Sequence, residues 1–152
     1  MAVGKNGRVT CDDEVSYDAD RLPSRDETRT LYDSVGWAAY TDDLDALIRG
    51  LENSAVVVTA RSGGELIGLA CIVSDRATIA YLQDVLVHPS FRRRGIATAL
   101  VNRAFAPFGR VRQHVLLTDA EPGQRAFYES IGFTEIRDLP GQGCRSFVRF
   151  NP

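Results

Sequence analysis

Residues 87 to 100 read Val87-His88-Pro89-Ser90-Phe91-Arg92-Arg93-Arg94-Gly95-Ile96-Ala97-Thr98-Ala99-Leu100. An apolar run stops at His88-Pro89, three arginines follow, and a glycine stands where a second apolar series begins at helical spacing. The pattern predicts a strand, a basic turn and a helix from about Arg94 to Phe105. The first amides of a helix have no internal partner and sit at the positive end of its dipole, so such a turn binds an anion without a base or a metal. Gly95 leaves the backbone open to a phosphate, Ala97 keeps the approach clear one turn further in, and the guanidinium groups add forked donors. The plainer reading of an arginine-rich loop is a solvated surface.

Working outward, Ile96, Leu100, Val101, Ala104 and Phe105 make the buried stripe of that helix, Pro107 and Gly109 end it, and Val111–Thr118 reads as the next strand. Upstream, Ala77–Val87 is the strand that enters the turn. Before it, Ala55–Arg61 and Glu65–Ser74 flank Ser62-Gly63-Gly64 as a hairpin. A helix is expected over Thr41–Leu51, capped by Thr41, with Leu44, Leu47, Ile48 and Leu51 on one face. Another starts near Asp26, with Asp26 or Thr28 as its cap. A first strand is expected near Val15–Ala19, within a partly loose segment 1–25. Toward the C-terminus the reading gives a helix Pro122–Ser130, a strand from Gly132 to Arg137, and a closing strand Arg145–Phe150. The sum is one α+β domain over 1–152. Its mixed, mostly antiparallel sheet would have six to seven strands, about four helices and one β-α-β step.

Composition bounds the partners. The 152 residues are 44% apolar and 25% charged with a formal charge of −2, so any polyanion must be met by a local cluster and no nucleic acid partner is expected. Lys5 is the single lysine. Cys11, Cys71 and Cys144 are odd in number and far apart, and His88 and His114 lack zinc-ligand spacing, so neither a disulfide framework nor a metal is expected. The longest apolar run, Ala55–Ala60, is too short for a membrane span, and Met1–Lys5 lacks the apolar region of a signal peptide. A cytoplasmic protein with reduced thiols is the expectation.

Arg92, Gly95 and Ala97 satisfy the pattern Arg/Gln-x-x-Gly-x-Gly/Ala, and Val87–Pro89 supplies the Val-x-Pro before it. In these residues the chain resembles the GNAT superfamily of N-acetyltransferases. A second element agrees, since Arg125-Ala126-Phe127-Tyr128-Glu129-Ser130-Ile131-Gly132-Phe133 is similar to that family's Phe-Tyr-x-x-x-Gly-Phe segment. The resemblance covers roughly Val56–Phe150. It implies acetyl-CoA as cosubstrate and no metal. Arg92 and the run Arg93, Arg94, Gly95, Ile96, Ala97 and Thr98 would hold the pyrophosphate. Val85, Leu86 and Val87 would pair through their main chain with pantetheine, in a gap between the strands 77–87 and 111–118.

The resemblance further implies direct attack of an amine on the thioester, without a covalent enzyme intermediate. Tyr128 matches the tyrosine that points at the coenzyme sulfur, either as the acid for the departing thiolate or as a packed ring. Asp84 lies near the place where several members carry a carboxylate. Alternation puts it on the strand face of Leu82 and Leu86, opposite Gln83, Val85 and Val87, either as the base or as part of a structural hydrogen-bond network. Asp119 and Glu121 are further carboxylates. The chain departs from many relatives in having Glu121 for Asn and Gln124 for Ala, and Leu116 where some carry a glutamate base.

The cluster Tyr32-Asp33-Ser34-Val35-Gly36-Trp37-Ala38-Ala39-Tyr40 would either wall an acceptor pocket or supply Trp37 and Tyr32 as core anchors, with Gly36 ending a helix. Asp33 would hold an ammonium group or face solvent, and Leu139–Gly143 would serve as a lid. The expected function is acetyl transfer from acetyl-CoA to a primary amine, of a small molecule or a peptide, in a ternary complex. An acyl-CoA-binding sensor without transferase activity is the alternative. The identity of the amine, the acyl length, the base and the oligomeric state, including a homodimer, stay open.

Overall fold

The computed structural model describes residues 14–141 and 143–151. The looseness expected of the first residues, the reading of Met1–Lys5 and the state of Cys11 therefore lie largely or wholly outside the described residues. The chain forms two compact units, Met1–Leu116 and Leu117–Pro152, each taken by itself below.

The first unit is a five-stranded sheet in the order β1 (Val15–Asp18), β2 (Val56–Ser62), β3 (Glu65–Ser74), β4 (Ile79–Val87) and β5 (Gln113–Leu116). Neighbours are antiparallel except β4 and β5, which are parallel and joined through α4 (Ile96–Phe105). The class is α+β with a mixed sheet, and the β-α-β step stands where the sequence puts it. β3 reads Leu-Ile-Gly-Leu-Ala-Cys-Ile with every residue from Leu66 to Ile72 buried, the continuous apolar run of a strand covered on both faces.

One face packs under α1 (Arg25–Ser34), α2 (Ala38–Thr41) and α3 (Leu44–Glu52): Leu31, Tyr32, Leu44, Leu47 and Leu51 close over Val57, Leu69, Cys71 and Leu86. The other face carries α4. At Gly68 the approach is so close that an added Cβ would stand 3.0 Å from Leu100 Cδ1 and 3.2 Å from the Leu86 carbonyl oxygen. No helix among the described residues is long and apolar enough to cross a membrane.

Several boundaries differ from expectation for local reasons. Ser24, not Asp26 or Thr28, caps α1 through a reciprocal capping box with Glu27. Asp43, not Thr41, caps α3 by accepting from the Ala46 amide, while Thr41 ends the single turn of α2.

The larger correction is the strand count, five rather than six to seven. The second unit holds α5 (Pro122–Ser130) and a 3-10 turn at Ile136–Asp138, and the strands expected over 132–137 and 145–150 are not formed. Alternation makes a strand only where an edge is present to pair with, and Phe147 and Phe150 are 88% exposed.

Candidate active site

The basic turn has the predicted build. After β4, Pro89–Phe91 forms a short 3-10 turn, and Gly95 caps α4 in the left-handed region at φ 75°. A Cβ at Gly95 would meet nothing within 4 Å, so the glycine serves backbone conformation and not packing. Arg93 shares the left-handed region at φ 62°, a strained setting for a residue with a side chain. Among the described residues, none of the amides from Arg93 to Thr98 donates to a carbonyl or a side chain; the ladder resumes with Ala99 donating to the Gly95 carbonyl at 3.0 Å. Arg92, Arg93 and Arg94 are exposed and form no ion pair among the described residues, and Arg94 lies over the Phe91 ring at 5.2 Å. Donors and positive charge converge there without an internal acceptor, as an anion site requires.

β4 leaves its parallel neighbour early. The β4–β5 register runs from Ile79–Gln113 to Leu82–Leu116 and stops, whereas pairing with β3 continues to Val87. Among the described residues no strand pairs with the outer edge of β4 from Gln83 onward, so Val85 and Val87 offer main-chain groups on that side, while those of Leu86 between them turn to β3. Leu86 and Val87 bury their side chains and Val85 is half-buried.

At the same place β4 carries a bulge. Cys71 pairs with Asp84 and Ile72 with Leu82, which leaves Gln83 as the extra residue. Cys71 and Ile72 point to opposite faces, so their partners do too. Asp84 therefore shares its face with Leu86 but not with Leu82, which corrects the simple alternation. Gln83 and Asp84 consequently turn toward the same side, and both reach Tyr40. The Gln83 amide nitrogen donates to the Tyr40 hydroxyl at 3.3 Å, and that hydroxyl donates to Asp84 Oδ1 at 2.9 Å.

Asp84 is 4% exposed and its other oxygen is also taken, by the Tyr32 hydroxyl at 2.8 Å, with the Cys71 thiol at 3.9 Å. Burial raises the Asp84 pKa and the three donors oppose that rise. Burial and the nearby carboxylate push the Tyr32 hydroxyl far above the ordinary tyrosine range, Tyr40 up to about 12 and the Cys71 thiol up to about 12. Cys71 is thus a neutral thiol at physiological pH and no nucleophile.

Gln83 and Asp84 line a cleft of about 360 Å³ formed by residues of α2, α3, β3 and β4. Tyr40 of α2, the α3 cap Asp43, and Leu47, Gly50 and Leu51 of α3 line it as well. Trp37 stacks on Tyr40 at 5.7 Å and meets Tyr32 edge-on at 5.9 Å, so the aromatic cluster serves both readings: Tyr32 is core, Tyr40 is cleft wall. Asp33 is engaged by the Thr41 hydroxyl at 2.6 Å, an internal tie between α1 and α2.

In the second unit, α5 ends with Gly132 donating to the Glu129 carbonyl and Phe133 to the Tyr128 carbonyl, the double bond pattern of a Schellman motif. That closure lays Phe133 edge-on against Tyr128 at 5.9 Å, opposite Phe127 at 4.9 Å. The spacing Phe-Tyr-x-x-x-Gly-Phe is thus the spacing of a capped helix end that locks a tyrosine ring. Burial and the charge of Asp119 raise the Tyr128 hydroxyl to about 12. Asp119 accepts from the Glu121 amide at 3.0 Å, and Glu121 is exposed. Arg125 bonds Glu129, Glu135 and Asp138 and so fastens the helix to the turn that follows.

No group of three or more histidine, cysteine, aspartate or glutamate side chains among the described residues is placed to hold a metal ion. Sequence reasoning missed the pairing of Gln83 with Asp84 and the part played by Gly50. The bulge behind the first shows in residue types as no more than two polar neighbours, Gln83-Asp84, inside an apolar run.

Residues 52–135 match the family profile described as Acetyltransferase (GNAT) domain. The chain is 28% identical over 119 residues to an uncharacterized N-acetyltransferase of Pyropia yezoensis, covering 76% of this chain and 66% of that protein. The chain therefore spans just under two thirds of that relative's length. Among solved structures, a GNAT-family acetyltransferase from Streptococcus pneumoniae superposes with a TM-score of 0.79 at 26% identity, covering 91% of this chain and 98% of the other. An aminoglycoside N-acetyltransferase in complex with CoA shares the fold with a TM-score of 0.67 at 20% identity, covering 91% and 95%.

Proposed function

Because the chain belongs to the GNAT acetyltransferase family, we propose that it transfers an acetyl group from acetyl-CoA to a primary amine by direct attack in a ternary complex. The observation that carries this reading is the turn at the head of α4. Its unpaired amides from Arg93 to Thr98 and its unpaired arginines suit the coenzyme diphosphate, with Gly95 and Ala97 allowing close approach. The free edge at Val85 and Val87, on either side of Leu86, is suited to pair with pantetheine as an added strand would. CoA bound by the aminoglycoside N-acetyltransferase of the same fold supports acetyl-CoA as the donor.

On this reading the neutral amine attacks the thioester carbonyl. The C–N bond forms, the C–S bond breaks, the nitrogen gives up a proton and the thiolate takes one. Asp84 is the base, and because both its oxygens already accept hydroxyl protons it works through Tyr40. The amine proton passes to the Tyr40 oxygen as the Tyr40 proton moves to Asp84 Oδ1. Tyr128 is the acid for the departing thiolate, a role carried from the family resemblance and supported by a hydroxyl that keeps its proton up to about 12. The aromatic shell from α1 and α2 and the cleft beside it belong to the acceptor side.

Calorimetry with acetyl-CoA, together with a thiol-release assay over an amine panel, tests the reading. Coenzyme binding with amine-dependent thiol release is expected. Binding without release under any amine would favour a coenzyme sensor instead.

A further inference from the structure

The cleft at Gln83 and Asp84 has a chemistry that narrows the acceptor. Among the described residues its lining includes two aspartates, Asp43 and Asp84, together with Tyr40 and Gln83, and no arginine, lysine or histidine. The rest is mainly apolar, with Leu47, Leu51 and Val73 among it. At about 360 Å³ the cleft is at the small end of the range for small-molecule sites. Gln83 and Asp84, which line it, are also the two β4 residues where pairing with β5 has just stopped, so a nitrogen seated there lies beside the edge assigned to the coenzyme.

From these features we infer that the acceptor is a compact monoamine with an apolar body and no carboxylate, seated in this cleft with its nitrogen at Tyr40 and Gln83. The inference deepens the transferase reading and rests on it for the reaction. An ammonium group is matched by the acidic wall and by the face of Tyr40. A free amino acid would bring a second, negative group into a cleft that has two carboxylates and, among the described residues, no cation to receive it. An apolar tail fits along α3, where Leu47 and Leu51 face inward.

Gly50 provides a clean test. It lies on α3 at the rim of the cleft, and a Cβ there would meet nothing within 4 Å. Gly50→Phe should fill the cleft while leaving the fold intact, since phenylalanine is the better helix former. Two measurements are made on parent and variant: binding of amines by calorimetry with CoA present, and thiol release from acetyl-CoA. The probes are matched pairs with and without a carboxylate, phenethylamine against phenylalanine and isoamylamine against leucine.

The expected result is at least about tenfold tighter binding of the amine in each pair, and at least about a tenfold loss of amine affinity in Gly50→Phe with unchanged coenzyme affinity. If amines bind in this pattern but no thiol is released, the cleft assignment stands and the transferase reading fails. If thiol is released but Gly50→Phe binds amines as the parent does, or the amino acid of each pair is preferred, the cleft assignment fails and the transferase reading stands.

Discussion

Tyr32 donates its hydroxyl proton to Asp84 across 52 residues of sequence, at 2.8 Å, and so ties the last turn of α1 to the bulge of β4. The bond lies fully inside the protein, where a carboxylate left without a donor is costly. Tyr32→Phe should cost about 1.5–3 kcal/mol in chemical denaturation. The sign of its pH dependence follows from the raised Asp84 pKa. The cost of burying the charge is absent below the unfolded value of 3.8 and complete above the folded one. Tyr32 lowers that pKa, so its loss should weigh most near neutral pH and shrink as the pH falls toward 3.8. A penalty independent of pH would point to packing alone.

The relay through Tyr40 predicts a shared phenotype. In the parent, turnover should fall on the acid side as Asp84 takes a proton. Asp84→Asn and Tyr40→Phe should each lower kcat by about tenfold or more and flatten that limb, and the double variant should be little worse than either alone. Additive losses in a pH–rate series would separate the two residues.

Tyr128→Phe should lower kcat by at least about tenfold while the acetyl-CoA affinity holds, because the ring keeps its place between Phe127 and Phe133. Its hydroxyl stays protonated until about 12, so the parent should show no loss attributable to this group through mildly alkaline pH. Equal kcat in parent and variant would remove the acid role.

Gly95→Glu places a side chain with a negative charge on a left-handed residue at the mouth of the anion turn. The backbone strain should cost about 1–2 kcal/mol of stability. Acetyl-CoA affinity should drop by more than about tenfold, read by calorimetry at a temperature where the variant is folded. Retained affinity would place the diphosphate elsewhere.

Gly68→Val tests the packing that aims α4. Its Cβ would press on the Leu86 carbonyl, which is backbone and does not yield, as well as on Leu100. A loss of about 1–3 kcal/mol is expected in denaturant unfolding.

What the sequence disclosed depended on whether the information was local. The build of the basic turn was legible because its parts are consecutive: the proline stop, the arginines, the glycine and the apolar series. The capping box Ser24–Glu27 is just as local, a four-residue pattern, yet it was passed over for Asp26 or Thr28, which compete with it by residue type. The β4 bulge was not. Leu82-Gln83-Asp84-Val85 sets two polar residues side by side, which alone does not say which of them is extra, and the register with the partner strand decides it. The alternation of Arg145–Phe150 misled in the opposite way, because it satisfies the pattern of a strand without an edge to join. The tyrosines that hold Asp84 come from two helices, and only tertiary contact shows which ring goes inward and which lines a cleft.

The extra residue at Gln83 makes β4 a ruler whose markings change hands halfway along. Were β4 paired with β3 in unbroken register from Leu82 onward, Gln83 would stand opposite Cys71 and the carboxylate would swing to the face of Leu82, away from both tyrosines, with every amino acid still in place. Removing Gln83 itself would instead leave Leu82 opposite Ile72 and Asp84 opposite Cys71, each on its present face, so that deletion takes from the site an amide and not its carboxylate.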